Sequence, residues 1–204
     1  MSEPGTLMLD VSNTPNNPLE LFQRWHQQAQ GAVLEANAMT VATVDAQGRP
    51  SARQVLLKQA DEQGYVFYTN YQSAKAMALE VNPWVSLLFW WDKLERQVRI
   101  EGPVEKVSAE ESDAYFASRP RNSQIGAWAS SQSQAIASRE ELEARYAEYE
   151  RQFKGQAVPR PPHWGGYRVQ PERIEFWQGL PGRLHDRIVY LRTSDGWSKQ
   201  RLAP

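Results

Sequence analysis

The stretch WVSLLFWWDKLERQVRIEGPVEKV, residues 84–107, holds two segments rich in β-branched and aromatic side chains with only a few polar residues between them. Trp84–Trp91 is strongly strand-like, and Leu94–Val107 reads as a longer strand. A connection this short has no room for a crossover helix, so the two strands lie antiparallel. The same grammar runs outward in both directions. Upstream lie Met39–Val44, the turn-rich Asp45–Pro50, Ser51–Lys58 and Gly64–Asn70. Downstream, three strands are expected at Gly166–Gln178, Asp186–Arg192 and Trp197–Leu202.

Helices punctuate the strands. Pro18–Asn37 places Leu19, Phe22, Trp25, Ala29, Ala32 and Val33 on one face. Ser73 caps Ala74–Val81, which Asn82-Pro83 ends. Ser108 with Glu111 forms a capping box for a helix reaching Ser118, where Pro120 stops it. Another helix runs from Ser138 to Phe153, and 155–162 is a loop. The expected architecture is a mainly β, α+β chain: a partly closed antiparallel barrel with peripheral helices. No GxGxxG follows a strand and no GxxxxGK[ST] is present, which disfavours a doubly wound nucleotide fold. Any phosphate-bearing cofactor must be held by side chains and turn amides.

Composition narrows the function. The chain has 204 residues, 23 Lys plus Arg against 24 Asp plus Glu, and no cysteine. The charge balance does not call for nucleic acid or an anionic membrane. Thiolate catalysis, disulfides and cysteine metal sites are excluded. His26, His163 and His185 lack metal-ligand spacing, so no metal is expected. No apolar run is long enough for a membrane span. Residues 1–17 read as a flexible N-terminal tail and 18–204 as a single domain. The expected compartment is the cytoplasm.

Five clusters could carry chemistry. In a strand, Arg53 and Lys58 point oppositely, which serves two anions or merely two surface charges. Tyr68 and Thr69 precede Ser73-Ala74-Lys75 at a helix start, which favours phosphate or is routine capping beside a solvated lysine. Gln97 in the long strand could bond a heterocycle. Tyr115, Arg119 and Ser123 could clasp a phosphate, or Arg119 could cap its helix; Gln132 and Ser133 lie in a polar loop. Trp177 precedes a loop carrying Arg183, His185 and Arg187, where His185 could move a proton or be satisfied by Asp186.

Nearly the whole chain from residue 18 resembles the pyridoxamine 5'-phosphate oxidase family. The resemblance lies in RQVLLK (53–58), VFYTN (66–70), VSLLFWW (85–91), LERQV (94–98), SRPRNSQIGAWASSQS (118–133), HWGGYRV (163–169), IEFWQG (174–179), RLHDR (183–187) and RLAP (201–204). It implies an FMN-binding split barrel, homodimeric, with both subunits contributing to each site. It further implies flavin phosphate contacts at Arg53, Lys75 and Ser133, and flavin contacts at Tyr68, Thr69, Gln97, Gln132, Trp177 and Arg187. Lys58, Tyr115, Arg119 and Ser123 would hold the substrate phosphate, with Arg183 and His185 against the substrate ring near the reacting carbon. The implied reaction oxidises pyridoxamine 5'-phosphate and pyridoxine 5'-phosphate to pyridoxal 5'-phosphate by hydride-like transfer from C4' to flavin N5. Dioxygen accepts the electrons, hydrogen peroxide forms, and the amine substrate also releases ammonia.

Two departures stand out. Ala74 occupies a position where the family usually has arginine, which removes one phosphate contact. The segment 1–18 contains no Arg, Lys or Tyr, unlike the basic, tyrosine-containing covers of many relatives. Two other functions remain open at this point: a different flavin oxidase or reductase on the same barrel, and a non-catalytic FMN- or pyridoxal-phosphate-binding module.

Overall fold

The computed structural model describes residues 8–204. Five helices and ten strands follow in order α1 (Pro18–Gln30), β1 (Ala38–Val44), β2 (Pro50–Leu56), β3 (Gln59–Asp61), β4 (Gly64–Asn70), α2 (Ala74–Val81), β5 (Trp84–Trp91), β6 (Arg96–Lys106), α3 (Ala109–Ser118), α4 (Arg121–Ala129), α5 (Arg139–Gln152), β7 (Trp164–Val169), β8 (Arg173–Gln178), β9 (Asp186–Thr193) and β10 (Gly196–Arg201). These strands pair antiparallel throughout. The main sheet runs β10-β9-β8-β6-β5-β1-β2, and β3, β4 and β7 branch from β6. This is the expected antiparallel split barrel with peripheral helices.

Strand β6 makes the branch. Its first half, Arg96–Glu101, pairs with β8, and Val104–Lys106 pair with β7. The switch occurs at Gly102-Pro103, where the chain crosses close over the β7–β8 turn. A Cβ on Gly102 would lie 2.0 Å from the Gln170 carbonyl oxygen, so only glycine allows that approach. Alternation along β5 and β6 turns Val85, Leu87, Phe89, Trp91, Val98 and Ile100 inward, where they meet Phe22 and Trp25 of α1. Each such side chain contributes about 1.5–3 kcal/mol by leaving water.

Several boundaries differ from expectation for identifiable reasons. The single strand expected over Gly166–Gln178 is two, β7 and β8, because Pro171 lacks an N–H and the chain changes partners there. Helix α1 stops at Gln30, with Gly31 as its C-cap, instead of reaching Asn37. Helix α4 was not expected: Pro120 stops α3 and also serves as the N-cap of α4. Strand β2 ends at Leu56, so Lys58 lies outside it and the strand-parity relation between Arg53 and Lys58 does not hold.

Within the stretch expected as a tail, Met1–Leu7 lie outside the described residues. Residues 8–17 meet the sheet closely. The Leu9 amide donates to Asp186 at 2.9 Å, the Tyr190 hydroxyl to the Pro15 carbonyl at 2.8 Å, and Leu9 itself is buried. A second, smaller core forms where α3–α5 pack on β4 and β7. It is built on Phe116, Ile125, Phe153, Val158 and Trp164, and Arg121 donates to the Phe153 and Gln156 carbonyls to tie α4 to the end of α5.

Candidate functional site

A cleft of about 660 Å³ opens between the end of β2, strand β4, the start of α2, the end of α3, and α4. Lys58, Tyr68, Thr69, Lys75, Tyr115, Arg119, Ser123 and Gln132 all line it. Residues far apart in sequence converge there because β4 and β7 pair directly beneath α3 and α4.

At one end, Ser73 caps α2 and Lys75 sits in its first turn, almost fully buried. The Lys75 ammonium donates to Gln132 Oε1 at 2.8 Å, Thr69 Oγ1 at 3.0 Å and Ser73 Oγ at 3.3 Å. No carboxylate is among these partners. Burial, with the nearby Arg53 charge adding to it, brings its pKa down to about 8. Arg53 stands behind it, donating to Thr43 Oγ1 at 2.8 Å and Ser51 Oγ at 2.7 Å. Two neighbouring cations whose bonds here go to neutral oxygens fit a phosphate-bearing group such as FMN, since a buried charge is otherwise costly. Ser133, next in the loop, has φ +69° and is exposed. It does not line the cleft.

At the other end is Arg119. It is the C-cap of α3 with extended backbone (φ −72°, ψ 150°), so it does not share a helix face with Tyr115. Its side chain bonds none of the helix carbonyls. Its guanidinium carbon lies 4.6 Å from the Trp164 ring centroid, and its Nη1 is buried with no hydrogen-bond partner among the described residues. Burial lowers its pKa, against a smaller opposing effect of Tyr115. Lys58 lies 5.9 Å from the Tyr115 ring. A buried, unpaired guanidinium nitrogen beside Lys58, Tyr115 and Ser123 can donate to a phosphate.

The remaining expected residues form a second cluster, away from the cleft within one chain. Gln97, Trp177 and Arg187 are consecutive cross-strand partners on β6, β8 and β9. His185 packs on Trp177 with ring centroids 4.6 Å apart, and its Nδ1 accepts from the Leu180 amide at 3.1 Å. Asp186 does not satisfy it; that carboxylate bonds Leu9 and Arg201. Arg183 is exposed at φ +63°. Arg187 is held by the buried Glu175.

Trp164 and Glu175 had no role assigned to them from sequence, although they lie in HWGGYRV (163–169) and IEFWQG (174–179). The one local mark of Glu175 is that it is an acid flanked by Ile174 and Phe176 in β8. Nothing local marks Trp164. A cavity of about 500 Å³ between α1, the β3–β4 turn and the β7–β8 turn holds none of the expected residues.

Comparison with known proteins covers the chain in two segments. Residues 26–153 match the family described as pyridoxamine 5'-phosphate oxidase, and residues 164–204 match the pyridoxine 5'-phosphate oxidase C-terminal dimerisation region. A pyridoxine/pyridoxamine 5'-phosphate oxidase of Rubrobacter xylanophilus is 61% identical over 92% of this chain and 87% of its own length. One from Synechocystis is 56% identical over all of this chain and 94% of its own. The crystal structure of PhzG from Burkholderia lata 383, in complex with tetrahydrophenazine-1-carboxylic acid, superposes with a TM-score of 0.92 at 33% identity, covering 98% of both chains. On these matches, the chain belongs to the pyridoxine/pyridoxamine 5'-phosphate oxidase family.

Proposed function

We propose that this chain is an FMN-dependent oxidase that converts pyridoxamine 5'-phosphate and pyridoxine 5'-phosphate to pyridoxal 5'-phosphate, with O2 as electron acceptor and H2O2 as product. Ammonia leaves as well when the substrate is the amine. The observation that carries the substrate assignment is the buried, unpartnered Arg119 Nη1 in a cleft shared with Lys58, Tyr115 and Ser123. That donor set suits a phosphate and would be costly without one.

Bound FMN supplies a ring system that takes a hydride-like equivalent from the substrate C4' carbon. Arg53 and Lys75 would hold its phosphate, with Ser133 approaching from the exposed loop beside Gln132; Tyr68, Thr69, Gln97, Gln132, Trp177 and Arg187 would surround the rest. The protein's contribution is chiefly positional: it anchors the substrate by its phosphate and holds the reacting carbon in contact. Arg183 and His185 face the substrate ring and steady it.

Lys75 and His185 belong to separate clusters in one chain. A homodimer in which each cleft is completed by the other subunit's Gln97, Trp177, Arg183, His185 and Arg187 joins them. The match of residues 164–204 to a dimerisation region supports this, as does the largely exposed edge strand β2. Ala74 does not remove the anion site, because Arg53 and Lys75 remain. Steady-state kinetics on pyridoxine 5'-phosphate and pyridoxine test the assignment: strong preference for the phosphorylated compound is expected. Comparable efficiency on both would instead favour a different oxidase built on the same barrel.

A further inference from the structure

Three aromatic rings with near-parallel planes cluster in the cleft wall, the Tyr115 and Trp164 centroids lying 6.1 Å apart. Tyr68 stacks on Tyr115 at 4.0 Å and on Trp164 at 5.3 Å, with interplanar angles of 22° and 12°. A cation sits against two of the rings: Lys58 against Tyr115 and Arg119 against Trp164. Arg119 has no carboxylate partner among the described residues, and no hydrogen bond fixes its guanidinium. What its planar head does touch is the Trp164 indole, with Phe116 farther off at 5.6 Å.

Trp164 is itself held firmly. It opens β7 opposite Asn70 of β4, and its ring is almost fully buried. Its carbonyl accepts from Arg160 Nη1 at 2.7 Å, and Arg160 pairs with Asp113 of α3 at 2.6 Å. These bonds tie the Trp164 backbone to α3, and the indole packs edge-on against Phe116 of the same helix with centroids 5.1 Å apart. A guanidinium lying over an aromatic ring keeps its in-plane N–H groups free for an anion, and stacking removes the rotamer freedom that a long side chain would otherwise lose on binding.

We propose that Trp164 is a positioning residue for phosphate selectivity: it presents Arg119 to the substrate phosphate without touching the substrate's reacting carbon. This rests on the reading of Arg119 as a phosphate ligand. Tyr68 and Tyr115 pack against Trp164 in the same cluster, and Lys58 lies against the Tyr115 ring.

The test compares equilibrium binding of 4-deoxypyridoxine 5'-phosphate and 4-deoxypyridoxine to the flavin-loaded protein by calorimetry. Neither compound carries an oxidisable group at C4'. For Trp164→Leu, the preference for the phosphorylated compound should fall about tenfold, the scale of a desolvated cation–π contact. For Trp164→Phe it should fall only about threefold, because a smaller aromatic face remains. Flavin content and affinity for the unphosphorylated compound should stay near those of the unaltered protein. An unchanged preference in Trp164→Phe and Trp164→Leu overturns the proposal, as does equal weakening of both ligands, which marks a packing role alone. If Trp164→Leu does not fold, Trp164→Phe decides by itself. An unaltered protein with no phosphate preference would instead contradict the substrate reading, and this proposal would fall with it.

Discussion

Glu175 Oε1 accepts two hydrogen bonds from Arg187, from Nε at 2.9 Å and from Nη2 at 2.7 Å. The other oxygen, Oε2, takes Arg99 at 2.8 Å and Arg173 at 2.7 Å, and the carboxylate is almost entirely buried. One acid thus orders three arginines across β6, β8 and β9, on the sheet face that carries Gln97 and Trp177.

Replacing Glu175 with Gln should destabilise the fold by about 3 kcal/mol, because Arg187 loses its carboxylate partner while Arg99 and Arg173 keep only Glu101. Burial pulls the Glu175 pKa up, but the Arg173 and Arg187 hydrogen bonds and the Arg99 charge outweigh it, and the net shift is downward. A depressed carboxylate adds stability above its unfolded pKa, and that stability is lost as pH falls through the folded value. Urea unfolding should show the difference between the native protein and Glu175→Gln at pH 7, narrowing in acid below the ordinary glutamate range. A constant difference at all pH values would contradict the assignment.

Lys75 works with the opposite charge. Its amine titrates near 8 in the free protein, chiefly through burial. An anionic ligand binds the ammonium form, so FMN affinity should fall as pH rises through that value, by up to about tenfold per pH unit until the bound form also loses its proton. Fluorescence titration of the apoprotein between pH 7 and 9.5 measures this. Lys75→Met should bind FMN more weakly and lose most of the slope. The same slope in Lys75→Met would place the titrating group elsewhere.

The β5–β6 hairpin is legible because its strands are long, β-rich and joined within a few residues. The β7–β8 break is harder to read: its one local mark is Pro171, set between two strand-like runs, and the exchange of partners on β6 shows only once the strands are paired. Helix α4 is hidden because one proline can end a helix and open the next. Tyr115 and Arg119 do meet in the cleft. The expected helical spacing is not the cause: Arg119 leaves the helix and is caught by Trp164, from a strand far along the chain. The resemblance supplied the residue set, whereas its division into two clusters appears only when the strands are paired.

Gly102 gives a direct test of the sheet switch. Gly102→Ala should cost about 1–3 kcal/mol, since the added carbon meets the fixed Gln170 carbonyl. Gly126, inside α4, has open space where a methyl group would stand, with nothing within 4 Å of it. Gly126→Ala should therefore stabilise by about 0.5–1 kcal/mol through helix propensity. Thermal melts of both variants check the pair; equal effects would show that close approach at Gly102 is not what requires glycine.

A shared site predicts complementation. Arg119→Ala damages the cleft and His185→Ala the second cluster, so each variant alone should be weak. In a mixed dimer, one site collects both lesions and the other collects none. Random reassortment should then restore about a quarter of the native activity, since half the dimers are mixed and each has one intact site. Unfolding and refolding the two together, followed by an activity assay, measures it. Activity no higher than the mean of the parents would place both clusters' functions within one chain.

The most direct test of the central claim is Arg119→Ala, assayed by steady-state kinetics on pyridoxine 5'-phosphate and on pyridoxine, with FMN occupancy and melting temperature followed in parallel. Removing a partly buried, unpaired donor fork should cost about 2–4 kcal/mol in transition-state binding of the phosphorylated substrate, a fall of roughly 30- to 1000-fold in kcat/KM. Activity on pyridoxine and flavin content should hold. Equal losses on both substrates, or no loss on either in a folded, flavin-loaded variant, would contradict Arg119 as the phosphate ligand and with it the assignment of the cleft.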